Sequence, residues 1–198
     1  MCYNKESVSR KELLKMAKVL FAPSDPISVA NYVVKLVNEN KLTISNLQLQ
    51  KVLFFLEGYI ETQYHTKLMR GAFTKWKYGP VQTEVYSAFK DYDAFAIKQL
   101  ASKRQFKRNG GVDFYEPIFN VTKVTNSYVF EQLTLALSQV PFDTLTAMSR
   151  KYGNWQRDYH KLLTDKVFVF SPEEIVTCFD RNKKQLEKLL VHLDIVDY

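Results

Sequence analysis

Cysteine is nearly missing from this sequence. Cys2 and Cys178 lie at opposite ends with no C-x-x-C spacing, a usage that fits a reducing cytoplasm better than a disulfide framework. Glycine and proline number six each, too few for long flexible linkers, and neither an internal repeat nor a low-complexity stretch interrupts the chain. No window reaches the ~18 consecutive apolar residues that a membrane span requires. The first residues carry Lys5, Arg10, Lys11 and Glu12 ahead of any apolar run, the wrong order for a secretion signal. The expectation is a soluble, cytoplasmic protein with no membrane partner.

Chemistry is equally sparse. His65, His160 and His192 have no partner at i+3 or i+4 that would make a metal pair, and they read as structural. No G-x-G-x-x-G, phosphate loop, G-x-S-x-G or H-E-x-x-H occurs, so no catalytic residue, metal or cofactor is expected. Glu173-Glu174 reads as first-turn charge on a helix, and Asp91 with Asp93 as a polar helix exit.

What is present suits one domain. A chain of 198 residues, 46% hydrophobic and 14% aromatic, can bury a large core unaided. Its formal net charge of +7 draws in acidic partners, whether nucleic acid or an acidic protein surface.

Hydrophobic periodicity predicts a mainly helical, single-domain bundle with a small antiparallel β element in the middle. Residues 9–21 read as an amphipathic helix with Leu13, Met16, Val19 and Leu20 on one side. Residues 1–22 are therefore expected to form an N-terminal extension to a domain over 23–198. Asp25 and Pro26 should start a helix running to about Glu39. Thr43 to Asn46 should cap a third helix through about Tyr64, apolar around most of its circumference and so central to the bundle. Phe73 to Tyr78 reads as a strand stopped by Gly79-Pro80, with a helix from Val81 to Lys90.

Asn109-Gly110-Gly111 is a hairpin signal between Arg104–Arg108 and Val112–Tyr115, and residues 73–76 are expected to join that sheet. Further helices are expected over 126–139, from Phe142 to near Gly153, and, as a helix pair or a single long helix, from a Ser171-Pro172 start to about Leu193. The hairpin carries Lys98, Lys103, Arg104, Lys107 and Arg108, with Phe106 among them. Such a pattern can track a phosphate backbone and stack a base. It can equally meet an acidic protein, or keep a sheet edge solvated against aggregation.

Asn46-Leu-Gln-Leu-Gln-Lys51 followed by Trp76-Lys-Tyr-Gly-Pro-Val81 and Val85-Tyr86 resembles the Panacea domain, also described as SocA-like and phage-associated GepA-like. Leu47, Leu49, Gln50, Lys51, Val52, Leu53 and Phe54 follow the first motif. Phe73, Trp76, Tyr78, Gly79, Pro80, Val81 and Tyr86 follow the second, and Leu145, Ser149 and Trp155 resemble a later segment. The resemblance runs over roughly residues 27–180. It implies a helical fold without enzymatic activity, acting as an antitoxin that binds and neutralises a co-encoded toxin. Some members resemble adaptors that deliver the toxin to a protease. Phe54 replaces the family's tyrosine, and the first 22 residues and the basic hairpin are read as lying outside the matched pattern. Candidate partner contacts are Trp76, Lys77, Tyr78, Gly79, Pro80 and Tyr86, together with Leu13 and Met16. The aromatics among them can equally be closing the core.

Overall fold

Asp25 sets the first helix. Its carboxylate accepts from Ile27 N at 2.9 Å and Ser28 N at 3.3 Å, while Pro26 occupies the first helical position without a wasted N–H. Helix α1 runs Pro26–Glu39 and buries Val29, Ala30, Val33 and Val37 completely. The computed structural model describes residues 22–108, 110–124, 126–152, 158 and 168–182. Leu13, Met16, Trp155, His160 and His192 lie outside the described residues, as does the expected N-terminal extension but for its last residue.

Helix α2, Asn46–Tyr64, is capped by Ser45, whose hydroxyl accepts from Gln48 N, and ends at a left-handed His65 with φ 52°. Its apolar residues point all round because α1 and the later helices α4 (Ser127–Gln139), α5 (Phe142–Tyr152) and α6 (Pro172–Arg181) each pack against it. Phe54 is the hub. Its ring lies 5.4 Å from Phe73, 5.4 Å from Phe170 and 5.5 Å from Phe179, in tilted and edge-on contacts. Gly58 lets helix α6 approach, since a Cβ there would stand 2.2 Å from the Phe179 ring.

After α2 the chain forms strands β1, Thr74–Trp76, and β2, Gly79–Val81, joined by the two-residue turn Lys77-Tyr78. Gly79-Pro80 therefore starts the return strand and does not end the sheet, contrary to the sequence expectation. Proline is tolerated because β2 is an edge strand. Helix α3, Thr83–Ala88, starts later than expected, since Gln82 serves as its cap and accepts from Glu84 N and Val85 N.

Strands β3, Lys103–Phe106, and β4, Val112–Tyr115, pair with each other as the turn signal predicts, around Gly110 at φ 83°. The expected union with residues 73–76 does not occur. The other edge of β1 is filled instead by β5, Phe168–Val169. Helices α4, Ser127–Gln139, α5, Phe142–Tyr152, and α6, Pro172–Arg181, complete the order. Ser171 caps α6 as expected, and Asn182 caps the other end of that helix. The expectation beyond Asn182 lies outside the described residues. The fold is thus mainly α with two small antiparallel sheets. Among the described residues no helix is long and apolar enough to cross a membrane.

Candidate functional site

The motif residues on α2 face the second half of the β1–β2 hairpin. Gln50 accepts from Gln82 N at 2.9 Å and donates to the Asn46 carboxamide at 3.1 Å, and Asn46 in turn donates to Tyr86 O at 3.0 Å. Lys51 is fully buried and donates from Nζ to Pro80 O at 3.0 Å. Burial, aided by the nearby Arg150 cation, pushes the Lys51 ammonium down to about 7. Polar side chains inside the core thus replace the backbone partners that β2 lacks on its open edge.

Gly79 completes this arrangement. Its φ is 96°, and an added Cβ would stand 2.8 Å from Ser149 Oγ and 3.3 Å from Lys51 Cε. Lys75 on β1 is buried between Asp158 and Glu174, with Nζ 2.5 Å from a carboxylate oxygen of each and 4.6 Å from the Phe170 ring centroid. Nothing in the sequence pattern singled out Lys75, because its acidic partners lie more than 80 residues away in one case and nearly 100 in the other.

The candidate partner contacts divide accordingly. Gly79 and Pro80 are buried and hold the fold. Trp76 packs edge-on against Tyr86 with ring centroids 4.8 Å apart, which leaves it 38% exposed. Lys77 and Tyr78 stand exposed at the tip, where Arg150 donates to Lys77 O at 2.9 Å.

The basic hairpin is a different kind of surface. Its register places Arg104, Phe106, Val112 and Phe114 on one face and Lys103, Gln105, Asp113 and Tyr115 on the other. Phe106 is 78% exposed and Phe114 66%, and Phe95 and Ile118 are also open to solvent. The strands are exposed on both faces apart from Lys103, so this ribbon is an arm. Lys103 fastens its base, with Nζ 2.5 Å from Asp25 and 2.7 Å from Glu84. Lys107 pairs across the arm with Asp113 at 2.9 Å. Lys98, Arg104 and Arg108 make no ion pair among the described residues. The five basic residues therefore do not form one free cationic track. Phe114 and Ile118 were not singled out from the sequence, although alternation in Val112–Tyr115 gave the signal for Phe114.

The sequence profile of the antitoxin SocA-like, Panacea domain matches residues 49–166. That span contains the arm, which corrects the reading that the hairpin lies outside the family pattern. Antitoxin SocA of Caulobacter vibrioides (strain NA1000 / CB15N) is 38% identical over 65 residues, or 33% of this chain. The aligned part is 35% of that protein's length, so this chain spans about a third of that relative. No solved structure matches the chain.

Proposed function

Since the chain belongs to the antitoxin SocA-like, Panacea-domain family, we propose that it is a non-enzymatic cytoplasmic antitoxin that neutralises a co-encoded toxin by direct protein–protein contact. The observation that carries this reading is the open face of the arm, where Phe106, Val112 and Phe114 stand in water beside Arg104. Burying a side chain such as phenylalanine is worth roughly 1.5–3 kcal/mol, and the fold leaves these rings outside its own core. Aromatic residues and arginine are also the types that anchor protein interfaces. A two-stranded ribbon gains stability from being covered.

The toxin surface that fits this face is apolar at its centre and acidic at its rim, opposite Arg104, Arg108 and Lys98. Charge also argues against a nucleic-acid track, because Lys103 and Lys107 are already committed to carboxylates. The exposed Lys77-Tyr78 tip and the apolar stripe of Leu13 and Met16 in the N-terminal extension serve as secondary contacts in the same reading. Delivery of the bound toxin to a protease is an additional step that would use a surface the toxin leaves open.

The test is co-expression of the chain with the product of the adjacent gene, scored for growth and co-purification. A neighbour that is toxic alone, harmless with this chain and recovered as a stoichiometric complex supports the reading. A toxic neighbour that is neither rescued nor bound contradicts it.

A further inference from the structure

The buried polar groups left without partners concentrate on the second half of α2. Glu57 and Glu61 lie one turn apart on this helix and are only 2% and 3% exposed. One oxygen of Glu57 accepts from Met69 N at 3.0 Å. Among the described residues its other oxygen, both oxygens of Glu61 and the neighbouring Thr62 hydroxyl have no hydrogen-bond partner. A carboxylate held dry and unpaired is costly, and folded proteins rarely retain one without a partner or a use. Burial pushes the Glu61 carboxyl up to about 7, with Lys67 pulling against the rise and Glu173 adding to it.

Glu61 is also part of the lining of a groove of about 350 Å³ between the end of α2 and the first turns of α6. Pro172 and Val176 give the groove apolar lining, joined by Thr177, His65 and Thr66, and Glu173 adds a second acid. Lys67 stands at its edge, but its amine donates to Gly71 O at 2.7 Å and leaves the Glu61 oxygens unpaired.

We propose that this groove binds an aliphatic cationic amine, with the ammonium or guanidinium group seated on Glu61 and its methylene stem along Pro172 and Val176. Several features select this chemistry. The unmet group in the lining is the Glu61 carboxylate, an acceptor, so the ligand must donate, and a cation also repays the desolvation of the carboxylate. The Pro172 and Val176 lining is apolar, so the cation must carry a hydrocarbon stem, as the long basic side chains do. The volume suits a chain of about the length of a lysine side chain or a small diamine. A bare divalent ion is disfavoured, because no group of three or more acidic, histidine or cysteine ligands gathers among the described residues. The amine can be a free polyamine or a basic side chain on a bound protein.

The test is a calorimetric and NMR titration of the full chain with 1,5-diaminopentane, using 1,5-pentanediol as the uncharged control. Saturable binding of the diamine alone is expected, weakened at least tenfold in Glu61→Gln. Val176→Trp, which fills the groove and leaves the carboxylate in place, should weaken it similarly, with both variants checked for an unchanged melting transition. Diamine binding no tighter than that of the diol, or equal in wild type and Glu61→Gln, overturns the proposal. Competition between diamine and purified toxin, with toxin affinity lowered in both variants, assigns the site to a protein side chain. Diamine binding with unchanged toxin affinity assigns it to a free amine. The small-molecule titration needs no toxin, so its failure is separate from failure of the antitoxin reading.

Discussion

The ammonium of Lys51 lies 3.0 Å from the carbonyl oxygen of Pro80, inside the protein and without an ion pair to a carboxylate among the described residues. This one contact joins the first motif, on α2, to the second, in the β1–β2 hairpin. It also has a pH signature. The folded-state pKa is depressed to about 7 from 10.5, so the unfolded chain binds more protons between those values. Stability should therefore rise as pH increases through that window, by a few kcal/mol at most. Lys51→Met should flatten the rise in urea unfolding curves collected between pH 7 and 10.

Glu57 and Glu61 act in the opposite sense. Burial raises both carboxyl groups, Glu61 to about 7 from 4.5, so the folded state holds protons that the unfolded chain has released. Their contribution is most favourable below about pH 4.5 and declines as pH rises towards 7. Glu61→Gln should remove part of that decline, about 2 kcal/mol after allowance for solvent in the groove. Unfolding free energies at pH 4.5 and 7.5 for both proteins measure it.

Gly79 is fixed by backbone and neighbours together. Gly79→Ala must take a φ of 96° and bring a methyl group to 2.8 Å from Ser149 Oγ. The expected loss is about 2 kcal/mol or more. Ser149→Ala removes the hydroxyl but leaves the backbone strain, so the double variant should lose less than the sum of the single losses. Chemical denaturation of the four proteins in this cycle gives the coupling directly.

Lys75 bridges two carboxylates in a nearly dry site, at 3% side-chain exposure. Lys75→Met leaves Asp158 and Glu174 facing each other without the cation and should cost about 3–5 kcal/mol. Adding Glu174→Gln should return part of that loss. If the double variant is less stable than Lys75→Met by the full cost of Glu174→Gln alone, the two residues do not act as a pair.

Helices with strong end signals were legible in the sequence. Asp25-Pro26 and Ser171-Pro172 start α1 and α6, and the all-round apolar pattern of Leu49 to Ile60 marks α2 as central. The hairpin around Gly110 was legible from its turn residues. Strand pairing was not. Thr74–Trp76 carries no local sign that its neighbours are Gly79–Val81 and the distant Phe168–Val169, because such pairing is decided by tertiary packing. The motif of Gln50, Lys51, Gly79 and Pro80 was visible as a pattern, but its role in holding β2 to α2 was not, since that depends on side chains meeting across 29 to 32 residues of chain. The basic residues of the hairpin were visible as charge. Their division into paired Lys103 and Lys107 and the open Arg104 face follows from the strand register.

If the arm is the toxin-binding face, the affinity of Phe106→Asp/Phe114→Asp for the purified product of the adjacent gene will show it. Both side chains are exposed, so the variant should keep its unfolding free energy within about 0.5 kcal/mol. Binding should weaken at least a hundredfold, with growth rescue lost. Affinity within twofold of wild type, with rescue intact, would contradict it.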